Sequence, residues 1–168
     1  MSRFFFALKP DNETRDKIVS AQKQLNLSGR LIKPENLHIT LLFMGKPEPR
    51  QIEKVIGFAQ KIHCLEFSFA LDVIGYFKKA QVSWLGLSES SRELINLHSE
   101  LLISAQNSHI PIQTQKFIPH LTLERNTKVF KKQNIEPIQW KVKDFVLYQS
   151  IDTQSGVHYQ VLHQFPCG

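Results

Sequence analysis

The strongest constraint on this chain is one pattern that occurs twice. In Asn36-Leu37-His38-Ile39-Thr40-Leu41-Leu42-Phe43, two polar residues stand two apart inside an apolar, β-branched run. A strand has a side-chain period of two, so His38 and Thr40 project from one face while Leu37, Ile39 and Leu41 take the other. The pattern returns as His120-Leu121-Thr122-Leu123, about half the 168-residue chain further on, and a proline precedes each copy (Pro34 and Pro119). One His-x-Thr match is unremarkable in a chain with seven histidines. Two matches, both followed by leucine and both in strand-like surroundings, point to two half-chains that bring two His-x-Thr strands together.

The segments between the copies supply those halves. Arg3 to Leu8 reads as a first strand, and Asp11 caps a helix with Ile18, Ala21, Gln22 and Leu25 on one face and Gly29 at its end. The first His-x-Thr strand closes at Gly45-Lys46-Pro47. Glu48 to Ile62 has helical spacing of Ile52, Val55, Ile56, Ala59 and Ile62. Phe67, Phe69, Leu71 and Val73 alternate as one strand, and Val82-Trp84-Leu85 follow as a second, paired through a connection at Lys78-Lys79-Ala80. Ser90-Ser91-Arg92-Glu93 reads as a capping box before a helix whose stripe is Leu94, Leu97, His98, Leu101, Leu102 and Ala105. Trp140, Val142, Phe145 and Leu147, then Val157, Tyr159 and Val161, suggest two closing strands after a basic loop from Thr127 to Pro137. Antiparallel neighbours joined by hairpins imply an α+β chain, residues 1–168 forming one domain.

Two histidines flanking a cleft do together what neither does alone. With ordinary pKa values near 6.5, one is neutral and the other charged at neutral pH, giving a general base and a general acid. Thr40 and Thr122 hydroxyls on the same faces can donate to an oxyanion. Arg125 is the candidate cation for the non-bridging oxygens of a phosphate. The set suits in-line displacement at phosphorus. It does not suit a metal centre, since neither histidine has a carboxylate at ligand spacing, and neither a Gly-x-Ser-x-Gly elbow nor a Gly-rich phosphate loop is present. Neither metal nor cofactor is expected. His63, His98, His109, His158 and His163 receive structural readings, although His158 could lie near the cleft; Phe43, Trp84 and Tyr148 could stack on a nucleobase but are read as core.

The formal net charge is +6, and Lys116 to Lys143 holds seven basic residues against Glu124 and Glu136. Such an excess suits a polyanion such as RNA, with Lys128, Lys131 and Lys132 as salt-sensitive contacts to longer molecules. No apolar run reaches the roughly 20 residues of a membrane helix, so no membrane partner is expected. Cys64 and Cys167 lie far apart in the chain and are expected to be free thiols in the cytoplasm.

These residues resemble the 2H phosphoesterase superfamily, and within it the RNA 2′,3′-cyclic phosphodiesterases, also called 2′-5′ RNA ligases. Beyond both motifs, Arg3 to Leu8, Arg30 to Gly45, Val82 to Leu87 and Phe117 to Arg125 share the likeness. The resemblance implies a bilobal fold of two pseudo-symmetric lobes, mainly antiparallel sheet with helices outside and the active-site cleft between them. It implies metal-independent hydrolysis of a 2′,3′-cyclic phosphate at an RNA end to a 2′-phosphate, with His38 as proton donor to O3′ and His120 as proton acceptor from water. Thr40, Thr122 and Arg125 then bind phosphate. The partner is RNA with a cyclic phosphate end, tRNA fragments included, and the enzyme is a monomer. In the reverse direction, 2′-5′ ligation, the histidines exchange roles. The alternatives are a phosphodiesterase on small cyclic nucleotides or 2′-5′ oligonucleotides, and an RNA-binding module without turnover. Glu124 departs from the family pattern, which favours a small or apolar residue there; alternation from His120 and Thr122 puts its acid in the cleft if the strand continues so far.

Overall fold

The computed structural model describes residues 2–168. Strands β1 (Arg3–Leu8), β2 (Arg30–Leu31), β3 (Ile39–Gly45), β5 (Val73–Phe77), β6 (Val82–Gly86), β7 (His120–Arg125), β9 (Asp144–Thr153) and β10 (Gly156–Pro166) form one sheet. Its order is β10-β9-β1-β3-β7-β6-β5, with β2 also on β7, and every pairing is antiparallel. Strands β4 (Phe67–Leu71) and β8 (Ile138–Val142) pair separately. Helices α1 (Asn12–Gln24), α2 (Pro49–Ala59) and α3 (Arg92–Asn107) complete an α+β chain.

The apolar run of β1 is explained by burial on both faces. Phe6 and Leu8 enter the main core, which takes residues from both halves of the sheet. Phe5 and Ala7 face the other way, into a small cluster with Val146 and Tyr148 that Tyr159 covers. The helices begin where the sequence says. Asp11 accepts the Thr14 N–H at 2.8 Å, and Glu48 and Gln51 form a reciprocal capping box. Ser91 caps α3 by accepting from Leu94 N–H; the box expected from Ser90 and Glu93 does not form. Helix α1 ends at Gln24, not at Gly29, because Leu25 is already extended. Its Gln22 instead reaches the carbonyls of Ile32 and Leu123 at 3.1 and 3.0 Å, docking the helix on the second half.

Three expectations are corrected. The alternating run Phe67 to Val73 is two strands: β4 pairs with β8, and only β5 pairs with β6. Asp72 breaks the run, its carboxylate taking the Ser88 N–H and hydroxyl. The run Trp140 to Leu147 likewise divides at Lys143 into β8 and β9, which lie in different sheets. Leu71 and Val73 keep the alternation across the first corner, so periodicity does not show it; at the second the phase slips by one residue, Val142 being followed by Phe145 and not by an apolar residue at 144.

The cysteines are the third correction. Cys64 and Cys167 are disulfide-bonded, with Cα atoms 4.6 Å apart across a sequence separation of 103. Strand β10 returns the chain end to the α2–β4 connection, where Gly168 N–H also bonds the Cys64 carbonyl. In the chain-entropy account, closing a loop of this length stabilises by about 4 to 5 kcal/mol. Thiol counting in denaturant should therefore find no reactive cysteine before reduction and two after it. Reductant should lower the melting temperature of wild type while leaving a Cys64→Ser/Cys167→Ser variant unmoved.

Candidate active site

The two halves of the sheet meet at β3 and β7, where one antiparallel pair, Ile39 with Leu121, joins them. Both residues are fully buried. The pair is flanked by His38 and Thr40 on one strand and by His120 and Thr122 on the other, so a single contact sets both motifs side by side. The two imidazoles are held alike. Nδ1–H of His38 donates to the Asn36 carbonyl at 2.7 Å, and Nδ1–H of His120 donates to the Ile118 carbonyl at 2.7 Å. Each bond comes from the residue two places upstream and leaves Nε2 as the reactive nitrogen. His38 Nε2 lies 3.1 Å from the Thr40 hydroxyl.

Beside this seam lies a cleft of about 780 Å³, lined among others by His38, Thr40, Thr122 and Arg125. His120 is not among the residues that line it; its ring is half-buried against Phe77 (4.9 Å between ring centroids) and Trp84 (6.0 Å). Trp84 lies flat over two glycines: a Cβ on Gly75 would fall 2.2 Å from the indole, and one on Gly86 would fall 2.5 Å from it. His38 is braced on its own side by Phe5 at 5.1 Å and Tyr159 at 5.0 Å.

A β-bulge decides which side chains of β7 reach the cleft. On β6, Ser83 pairs with Glu124 and Trp84 with Thr122, so Leu123 is the extra residue. The bulge reverses alternation: Leu123 and Glu124 are both buried, and Arg125 is turned into the cleft after Thr122. The departure at Glu124 therefore does not put an acid into the cleft beside Thr122 and Arg125.

Sequence reasoning missed other cations. Arg3, Arg30, Lys33 and Lys46 line the cleft with Arg125, against a single acid, Asp152. Arg30 and Lys33 sit on the approach to the first motif, which was the available signal; Arg3 and Lys46 are brought in by the β1–β3 pairing. The basic loop lies elsewhere. Lys128, Lys131 and Lys132 are exposed and outside the cleft lining, on a loop docked through Ser28 and by Phe130 on Tyr76. Of the aromatics read as core, Tyr148 is buried, whereas Phe43 is 45% exposed in the cleft and stacks at 17° on Phe5. His98 is packed as expected, donating to the Leu41 carbonyl at 2.6 Å and stacked on Phe117.

The electrostatics oppose charge on both histidines. Burial, then Arg125 and His120, push the His38 pKa down from 6.5 to about 4, against the Asn36 carbonyl, which favours the charged ring. Burial and Arg125 lower His120 as well, against the Ile118 carbonyl. Between about pH 6.5 and 4 the unfolded chain thus binds a proton that folded His38 refuses, so stability falls as pH falls through that window. The loss due to His38 is on the order of 3 kcal/mol. Denaturant titrations should show a shallower decline from pH 7 to 4 in His38→Gln than in wild type; equal slopes would place the depressed group elsewhere.

Comparison with known proteins accords with this geometry. A family model described as LigT-like phosphoesterase matches residues 8–84, which include the first motif. The RNA 2′,3′-cyclic phosphodiesterase of Aquifex aeolicus is 30% identical over 179 residues, covering 98% of this chain and 95% of that protein. The protein of the same name from Escherichia coli is 30% identical, with 97% and 95% covered. The crystal structure of E. coli LigT complexed with 3′-AMP superposes with a TM-score of 0.90 at 28% identity, over 99% of this chain and 98% of that one. The likeness thus runs through both halves and both His-x-Thr strands, and the chain belongs to the LigT-like phosphoesterases of the 2H superfamily.

Proposed function

We propose that this chain hydrolyses RNA 2′,3′-cyclic phosphate ends to 2′-phosphomonoesters by two-histidine acid–base catalysis without a metal. The observation that carries the reading is the matched pair of imidazoles, each tied through Nδ1 to the carbonyl two residues upstream, beside Thr40, Thr122 and Arg125. His120 takes a proton from water as its oxygen attacks phosphorus, and His38 gives a proton to O3′ as the P–O3′ bond breaks. Thr40 and Thr122 donate to the non-bridging oxygens, and Arg125 offsets their charge. The names of the relatives and the 3′-AMP held by E. coli LigT support the substrate class.

In the free protein, burial and Arg125 keep both rings neutral. An anionic phosphate offsets Arg125 and favours a charged imidazole, so His38 gains its proton as part of substrate binding. With a 5′-hydroxyl in place of water the same displacement gives 2′-5′ ligation, and the histidines keep their roles instead of exchanging them: His120 takes the proton of the 5′-hydroxyl as it attacks phosphorus, and His38 protonates O3′ as the P–O3′ bond breaks. The reading includes a single bilobal domain over residues 1–168 and a monomeric cytoplasmic enzyme acting on RNA ends, tRNA fragments among them. Among the described residues no helix is long and apolar enough to cross a membrane.

A phosphodiesterase on small cyclic nucleotides is the second reading. The spread of cations from Arg125 to Arg3 and Lys46 along the cleft favours the oligonucleotide. Phe43 offers a flat face beside that track on which a base can stack.

In excess chelator, wild type should convert a short RNA with a 2′,3′-cyclic phosphate end to the 2′-phosphate. His38→Ala and His120→Ala should each lose about 10²- to 10⁴-fold in kcat. No product from wild type, or turnover surviving both substitutions, would remove the mechanism. Base–aromatic stacking is worth about 1 to 3 kcal/mol, so Phe43→Ala should raise KM for the RNA by about 5- to 150-fold with kcat little changed. An unchanged KM would take Phe43 out of substrate binding.

A further inference from the structure

The chemistry above leaves the buried carboxylate of Glu124 without a task. Its residue is 1% exposed, and its oxygens accept from Gly29 N–H at 2.5 Å, from the Ser83 hydroxyl at 2.9 Å and from the Thr127 hydroxyl at 3.0 Å. A charge so far from water is costly unless strong donors surround it, and three do.

Those donors come from the three segments around Arg125. Gly29 precedes Arg30, which pairs with Arg125 across β2 and β7. Ser83 is Glu124's own partner across the bulge on β6. Thr127 lies just beyond Arg125, and its N–H bonds the Gln81 carbonyl. The packing is close: a Cβ on Gly29 would fall 2.3 Å from the Arg125 carbonyl oxygen. Between Arg125 and Thr127, Asn126 turns into the left-handed region at φ 57°. The aim of Arg125 thus depends on a bulge and a turn, both gathered on one carboxylate.

We infer that Glu124 is a positioning residue, whose carboxylate locks the β7 bulge and thereby holds Arg125 at the phosphate site. The inference rests on the proposed role of Arg125. An apolar residue at 124 would leave the Gly29 N–H in the interior without its acceptor, and would leave the Ser83 and Thr127 hydroxyls, 3.1 Å apart, only each other. Glutamine keeps an acceptor of the same reach for Gly29, and its amide can donate to the hydroxyls once they turn.

The test is a double-mutant cycle on a cyclic-phosphate RNA, with competitive inhibition by inorganic phosphate read alongside. Glu124→Ala should lower kcat/KM about 10- to 100-fold, as expected of a group displaced by about an ångström, and weaken phosphate inhibition in parallel. In an Arg125→Ala background it should cost less than about twofold, since the residue it positions is already gone. Glu124→Gln should restore most of the loss. Ser83→Ala, which keeps the carboxylate, should show a smaller loss that also vanishes without Arg125, and it stands in if Glu124→Ala does not fold. Additive losses in the cycle would overturn the inference while leaving the function intact. Wild-type activity and phosphate affinity in Arg125→Ala would instead overturn the role of Arg125 itself, and the inference with it.

Discussion

One antiparallel contact, Ile39 with Leu121, carries the geometry of this protein. The first half of the sheet, β10-β9-β1-β3, and the second, β7-β6-β5, share an edge only there. A strand pair is normally a ladder several residues long. Here the ladder is a single rung, and further along β7 the edge is taken by β2, with Leu31 opposite Glu124 and Arg30 opposite Arg125. The helices and the apolar core hold the rung in place: Gln22 of α1 reaches across to the Leu123 carbonyl, and His98 of α3 joins the Leu41 carbonyl to the ring of Phe117. Each link crosses from one His-x-Thr strand's side to the other's.

Arg125 has two opposed effects. It disfavours charge on both imidazoles, and in the proposed reaction it attracts the phosphate. When an anion arrives, its charge opposes that of the guanidinium, and one ring can then accept a proton at modest cost. On the proposed mechanism, recognition and activation are thus two aspects of one electrostatic balance. The other cleft cations extend the attraction along the trench.

The motif strands were legible because their periodicity is local: two polar residues at spacing two in an apolar run declare a strand and a face. His38, Thr40, Thr122 and Arg125 accordingly line one cleft, while His120, two residues before Thr122, is packed on Phe77 outside that lining. Features set by contacts distant in sequence were not legible. The chain changes sheets at Asp72 without any change in hydrophobic alternation, and at Lys143 with only a one-residue slip of phase between Val142 and Phe145. Cys64 finds Cys167 only after β10 has been laid against β9. Phe43 reads as core because strand aromatics usually pack, yet its strand borders the cleft. Glu124 could not be placed because a bulge, unlike a strand, has no period.

The flat seat of Trp84 on Gly75 and Gly86 has a consequence for how this wall can change over time. Neither glycine can gain even a methyl group while the indole is in place. Substitution at the three positions is therefore ordered. The tryptophan must shrink or turn before either neighbour can grow, and the intermediate step withdraws support from the ring of His120. A larger residue at Gly75 or Gly86 would therefore require a coupled replacement of Trp84.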